Sequence, residues 1–446
     1  MVRPIPTKSQ LASVVSAALC FTGLMQTASA QMEAHMRSVS TDRAQQLHNA
    51  AHNMAMHHRQ AAMMRATTAG GYGGQSRMAM MPGVERLSSR QGDFYVRSGE
   101  IVGLDLTLES RAIIADLGLS ISRSERLDRL DMSVDVIALP IKRSVRSALK
   151  KLRRADPDVR YVPNALFNAS EGAEVNARAA SAAMPRLAPG FPQGAARIGL
   201  IDTAIDEQLL SESQNVRVKQ RKFGPGEALL PRRHGTTVAI QAIRSGARDL
   251  VVADVFSNET GFADAEGIIR ALDWMAGEDL SVINLSLTGP DNLLLERAIK
   301  ALLKRGHIVV AAVGNDGPNK GPAFPAAYPR VIGVTAVDSG LEIYRNANAG
   351  PGVDVAAIGV GVAFPAETSV KEGQDPVSGT SFAAPVVAAI LSQEFTEPMS
   401  NAADAALAYI DETAMDLGPP GKDPLFGAGA IFAKSAAAPV KGDLIN

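Results

Sequence analysis

From Ala195 onward short β-branched runs alternate with longer amphipathic stretches, and that alternation restricts the fold more than any other feature. RIGLID, LVVADVF, SVINLSL, HIVVAAV and VIGVTAV are apolar at successive positions, and DAEGIIRALDWMAG and DNLLLERAIKALLKRG fall between them at helical period. Strands without a polar face, joined through helices, build a parallel sheet covered on both sides. The expected fold class is therefore α/β, three layers around a mostly parallel central sheet. Reacting groups in such sheets gather beyond the carboxyl ends of the strands.

The 446 residues allow about two or three domains. Residues 1–30 have the layout of a secretory signal peptide: Arg3 and Lys8, an apolar run from Leu11 to Met25, then Ala28-Ser29-Ala30 before Gln31. The single cysteine, Cys20, lies in that segment, so a disulfide is not expected after export. The expected destination is the periplasm or the exterior, with no membrane span after signal removal. Residues 31–92 hold five of the seven histidines (His35, His48, His52, His57, His58) and read as a flexible leader. His48 and His52, four apart, suit one helix face, but no carboxylate or cysteine framework completes a metal site.

Residues 93–165 read as a small α+β unit. DFYVRSGEIVGLDL and DMSVDVIALPI are strand-like, and RSVRSALKKLRR is helical with Val145, Leu149 and Leu152 on one face. The unopposed cations of that helix (Arg143, Arg146, Lys150, Lys151, Arg153, Arg154) suggest a solvated face. Residues 166–194 form an Ala/Pro/Gly linker, residues 195–436 the main domain and residues 437–446 a tail. A net charge of −1 gives no global attraction to nucleic acid or anionic lipid, and no oligomerisation signal is visible, so a monomer is expected.

Three residues fall on the productive edge of the expected sheet. Asp202 ends the first strand, His234 opens the helix RRHGTTVAIQAI, and Ser381 opens the helix SGTSFAAPVVAA. An Asp that orients an imidazole, an imidazole that takes a seryl proton, and a hydroxyl that attacks a carbonyl make an acyl-transfer relay. Beyond the leader only His234 and His307 remain as bases. His307 begins HIVVAAV, so at about 3.3 Å per residue it lies more than ~20 Å from the strand edge where Ser381 belongs. Asp206 lies past the strand tip and suits the acid role less well. The order Asp, His, Ser with no histidine after the serine excludes the α/β-hydrolase arrangement, and the strand–helix alternation excludes the chymotrypsin barrel.

These pieces resemble one known family. IGLIDTAID, HGTTVA, VINLSL, VVAAVGNDGP, PAAYPRVIGVTAVD, SGTSFAAPVVAA and DLGPPGKDPLFGAGAI are similar, in the same order, to the catalytic domain of subtilisin-like (subtilase, S8-type) serine peptidases. The resemblance implies a serine endopeptidase made as an inactive precursor, with Asp202, His234 and Ser381 catalytic and Asn315 completing the oxyanion hole. It implies substrate contacts at Ser286, Leu287, Thr288 and Gly314, with a medium apolar side chain favoured unless Asp316 draws in a basic one. Residues 93–165 resemble the family's propeptide, an intramolecular inhibitor and folding aid. Partners are then protein or peptide substrates. The chemistry needs no cofactor, and structural calcium is allowed without an assigned site. A transpeptidase or macrocyclase using the same triad, and an inactive subtilase-like binding module, are the alternative functions. Ala204, Ile240 and Thr288 depart from the family's usual glycines, which implies an altered loop after Asp202 and a narrower cleft.

Overall fold

The computed structural model describes Met78 and residues 81–89, 92–141, 143–169, 196–214, 216–364 and 375–433. The signal peptide, most of the leader with His48 and His52, nearly all of the linker and the tail lie outside the described residues. In chain order the elements begin with β1 (Val84–Ser89), β2 (Gly92–Leu104), α1 (Leu108–Asp116), β3 (Ser120–Leu127), β4 (Met132–Ala138), α2 (Val145–Ala155) and β5 (Arg160–Ala169). The main domain continues with β6 (Ala196–Asp202), α3 (Glu207–Gln214), β7 (Arg217–Lys222), α4 (Arg233–Arg244), β8 (Ala247–Asp254), β9 (Ala263–Asp264) and α5 (Ala265–Met275). After these come β10 (Val282–Leu285), β11 (Leu287–Thr288), α6 (Leu293–Lys304), β12 (Ile308–Ala312), β13 (Ile332–Val337), β14 (Val355–Ile358), α7 (Thr380–Glu394) and α8 (Ala402–Thr413).

The main sheet has seven strands in the order β14-β13-β12-β10-β6-β8-β7, and every pairing is parallel. Successive side chains divide between its faces. Ile283, Leu285, Val309 and Ala311 pack on α5 and α6, whereas Val282, Ile308, Val310 and Ala312 pack on α7 and α8. That division is what fully apolar strands require. After β6 the chain builds β7 and β8 on one side of it and then crosses to β10 on the other, so a crevice opens at the carboxyl end of β6. Asp202 stands there.

The N-terminal subdomain is an antiparallel sheet, β3-β4-β2-β5 with β1 on β2. One face lies under α1 and α2, where Val145, Leu149 and Leu152 are buried with Ile101, Ile114 and Ile137. The other face, including Val102, Leu127, Met132 and Val162, shares a core with α5 and α6 of the main domain. Two boundaries differ from the sequence reading. β1 falls within the stretch read as leader, because only Leu87 of VERLSS is buried and an edge strand gives little alternation. Glu85 of β1 nevertheless caps α2, accepting from the backbone N–H of Val145 at 2.9 Å. β5 runs on to Ala169 because Leu166 and Phe167 pair with Asp264 and Ala263 of β9, and Asn168 and Ala169 with Thr288 and Leu287 of β11. The cations of α2 and of the turn before it are not all solvated. Arg153 donates to the carbonyl of Tyr161 at 2.8 and 3.1 Å, and Arg143 to that of Leu117 at 3.2 Å.

Candidate active site

Asp202, His234 and Ser381 come from three elements and meet in one hydrogen-bonded line. His234 Nδ1 lies 2.8 Å from Asp202 Oδ1, and His234 Nε2 lies 3.0 Å from Ser381 Oγ. All three are buried. With a carboxylate beside Nδ1 the proton belongs there, which leaves Nε2 to accept from the hydroxyl. Asp202 Oδ1 also accepts from the backbone N–H of Thr203 at 2.7 Å. The Thr203 hydroxyl in turn accepts from the backbone N–H of Gly235 at 3.0 Å, tying the strand end to the helix that carries the imidazole. Gly235 has to be small: a Cβ there would fall 2.4 Å from the Thr203 carbonyl and 3.1 Å from Asp202 Oδ1. The His-Gly dipeptide is thus a packing requirement of the Asp–His contact. Phe382 flanks the imidazole with ring centroids 5.2 Å apart.

The helix of Ser381 is held at its start by neighbours rather than by itself. Gly379, its N-cap, has no side chain to cap the first turn. Asn315 supplies the cap: its Oδ1 accepts from the Thr380 backbone N–H at 3.0 Å and from the Thr380 hydroxyl at 3.1 Å. With Oδ1 so engaged, the Asn315 amide NH₂ is turned away from Thr380. The Thr380 hydroxyl also accepts from the backbone N–H of Gly314 at 3.1 Å, and Gly314 takes φ +108°, where a side chain would be strained. Four residues after Ser381 the helix contains Pro385, which has no N–H to offer the Ser381 carbonyl. Ser286 fills the gap by donating its hydroxyl to that carbonyl at 2.8 Å, and Asn284 Nδ2 donates to Ser286 in turn at 2.8 Å.

The Ser286 side chain is buried and engaged with the helix of Ser381. Leu287 and Thr288 form a strand edge, and β5 occupies it. Gly289 next to it is overlaid by Phe167, whose ring would lie 2.2 Å from a Cβ at that position. Asp316 is exposed beyond Asn315, its backbone N–H donating to Asn348 Oδ1 at 2.7 Å. Asp206 is the cap of α3, accepting from the Leu209 backbone N–H at 3.1 Å, and takes no place in the line. His307 is buried at the opposite strand end with Nδ1 2.6 Å from the Leu280 carbonyl, and burial lowers its pKa below the ordinary value. Ala204 is buried and does not have a positive φ, so this loop needs no glycine there, and Ile240, on α4, fills the core. Asp254, beside Asp202 in the sheet register, is pushed up by burial and pulled back by Lys222, whose Nζ lies 2.8 Å away. Thr380 and Gly235 were missed as site residues, although SGTS and HG were both in view. Neither tetrapeptide nor dipeptide reveals which backbone it will touch.

Among the described residues no group of three or more His, Cys, Asp or Glu side chains is placed to hold a metal ion. No helix among them is long and apolar enough to cross a membrane.

The sequence profile of the subtilase family (Peptidase_S8) matches residues 194–429, and the chain belongs to that family. It is 30% identical to subtilisin DY of Bacillus licheniformis over 267 residues, 56% of this chain and 93% of that protein. It is 28% identical over 181 residues to the minor extracellular protease Epr of Bacillus subtilis, 40% of this chain, and 29% identical over 260 residues to alkaline elastase YaB of Bacillus sp., 55% of this chain. The matched parts span 28% of Epr and 66% of YaB. The fold is similar to fervidolysin of Fervidobacterium pennivorans, described as a keratinolytic enzyme related to subtilisin. The TM-score is 0.63 at 17% identity, over 80% of this chain and 64% of fervidolysin.

Proposed function

We propose that the protein is an exported serine endopeptidase, made as a precursor whose N-terminal subdomain blocks its own cleft. The observation that carries this is the unbroken line from Asp202 Oδ1 through His234 to Ser381 Oγ, at 2.8 and 3.0 Å, at the sheet's crevice. In the reaction His234 Nε2 takes the Ser381 proton as Oγ attacks the scissile carbonyl, and Asp202 steadies the imidazolium. Negative charge then grows on the carbonyl oxygen. The amide NH₂ of Asn315 and the Ser381 backbone N–H, at the positive end of α7, are the donors for that charge. His234 returns the proton to the leaving amine, and water repeats the sequence to free the enzyme.

Strand β5 supports the precursor reading. It lies antiparallel on β11 and β9 as an extended substrate would, and ends at Ala169 opposite Leu287. Leu287 directly follows Ser286, which touches the Ser381 carbonyl. That register supports processing in the linker after Ala169. Phe167 is fully buried against Gly289 on this edge, which favours substrates with a large apolar side chain at the equivalent upstream position, worth about 2–3 kcal/mol. The signal-like residues 1–30 and the extracellular description of the relative Epr support export.

The test is a fluorophosphonate probe on the purified chain after maturation. Wild type should gain the adduct and hydrolyse peptide, and Ser381→Ala should do neither, with a loss of about 10⁴–10⁶-fold in kcat. Matured wild type that takes no label, or that ligates peptide rather than hydrolysing it, would end this reading.

A further inference from the structure

Beside the shared apolar core, two unlike sets of polar and edge contacts join the N-terminal subdomain to the main domain. One is generic: the backbone of β5 on β9 and β11, with Phe167 against Gly289. The other is a row of matched charges between the N-terminal subdomain and β9, α5 and α6. Arg97 Nε lies 2.6 Å from Asp264 Oδ2, and Arg123 grips Glu266 with Nε and Nη2 at 3.1 and 2.9 Å. Polarity then reverses. Arg270 Nε lies 2.6 Å from Glu125 Oε2, and Arg297 Nη2 lies 2.5 Å from Asp105 Oδ2.

The row has a definite reading frame. Arg123 and Glu125 stand two apart on β3, on one face of the strand. Glu266 and Arg270 stand four apart on α5, on one face of the helix. Plus-then-minus on the strand meets minus-then-plus on the helix. Each acidic member is costly to cover alone. The side chains of Asp264 and Glu266 are 5% and 6% exposed. Burial and then neighbouring Asp264 push the Glu266 carboxyl up, and Arg123 and Arg270 pull it back. Burial works to lower the Arg123 guanidinium, yet Glu266, with Glu100 and Asp264, holds it above its ordinary value. A sheet of the same shape without these arginines would cover two adjacent carboxylates with only Arg270, 3.7 Å from Glu266, to offset them, and one with acids there would be repelled.

We propose that Asp264, Glu266 and Arg270 form an inhibitor-recognition face that selects the chain's own N-terminal subdomain by the charge order Arg97, Arg123, Glu125, and so sets how long the precursor stays latent. This rests on the reading of that subdomain as the inhibitor. Any strand can fill the cleft, but only one with this charge order satisfies the face.

The experiment uses the full chain and reads the lag before hydrolysis of a chromogenic peptide. Arg123→Glu alters only the part that is removed, so its final rate per titrated active site should equal wild type. Its lag should shorten about tenfold or more. Combining it with Glu266→Arg should bring the lag back to within about threefold of wild type. The wild-type lag should also shorten as NaCl rises from about 0.05 to 1 M. Equal lags for wild type and Arg123→Glu would overturn the proposal, as would a shortened lag that the double reversal fails to restore. Should Arg123→Glu not fold, Arg123→Gln and the wild-type salt series decide, and a lag insensitive to both overturns it. The inhibitor reading fails differently: wild-type precursor of intact mass would hydrolyse peptide from time zero at every salt concentration.

Discussion

The two sheets of this protein bury themselves by opposite means. Strands β10, β12 and β13 are buried at every residue, enclosed by helices of their own domain. In the N-terminal subdomain β3 is mostly exposed along its length, and the sheet covers only one face with α1 and α2. Its second face is completed by α5 and α6, which belong to the main domain. A sheet that closes its own core needs no partner. One that borrows half its cover loses that part of its core whenever it undocks, which suits the removable inhibitor proposed above.

The sharpest way to break that contrast is a core deletion on the face that the N-terminal subdomain covers with its own helices. Leu152 is fully buried between α2 and the N-terminal sheet. Leu152→Ala should cost that subdomain about 2–5 kcal/mol. The precursor should show an early unfolding transition and a short lag, with unchanged activity per fluorophosphonate-titrated site. A matching fall in mature activity would mean that the two cores are one cooperative unit. On the other side of the contrast, Asn315→Ala should leave the N-terminal subdomain untouched and lower kcat by about 10²–10³-fold with KM little changed. A loss confined to KM would remove Asn315 from the oxyanion role.

Smaller effects probe how the self-contained domain holds its site. Ser286→Ala strips the Ser381 carbonyl of its donor at a place where Pro385 cannot replace it. The expected cost is about 1–3 kcal/mol in stability, read from denaturant midpoints, with a parallel drop in kcat. Ser286→Thr, which restores a hydroxyl, should recover part of both. The smallest effect concerns acid. Burial lowers the pKa of His307, so the unfolded chain takes up that proton first. The stability from neutral His307 is therefore present above its ordinary value of about 6.5 and is lost as pH falls below it, by at most about 1.4 kcal/mol per pH unit. His307→Gln should flatten that acid limb, and a slope identical to wild type would assign the limb elsewhere.

What could be read from sequence followed the same division. RIGLID, SVINLSL and HIVVAAV declared themselves because strands buried on both faces are apolar throughout. β1 and β3 did not, because exposed edge strands such as VERLSS and SISRSERL carry polar residues at nearly every position. The short strands β9 and β11 have two residues each and are defined by what lies beside them. Asp202, His234 and Ser381 could be chosen from the strand ends, the scarcity of histidine and the order along the chain. The work of Thr380, Gly235 and Ser286 could not. Each touches backbone from a distant segment, and backbone leaves no mark on residue identity.

The proline one turn beyond Ser381 has a consequence for engineering. An ordinary helix would complete that carbonyl from within; here Ser286, between β10 and β11, does so, while Asn315, past the end of β12, ties the first turn. A designer who transplants SGTSFAAP onto a new scaffold therefore carries over the serine with its supports left behind. The portable unit is the octapeptide together with two strand tips held at fixed separation from it.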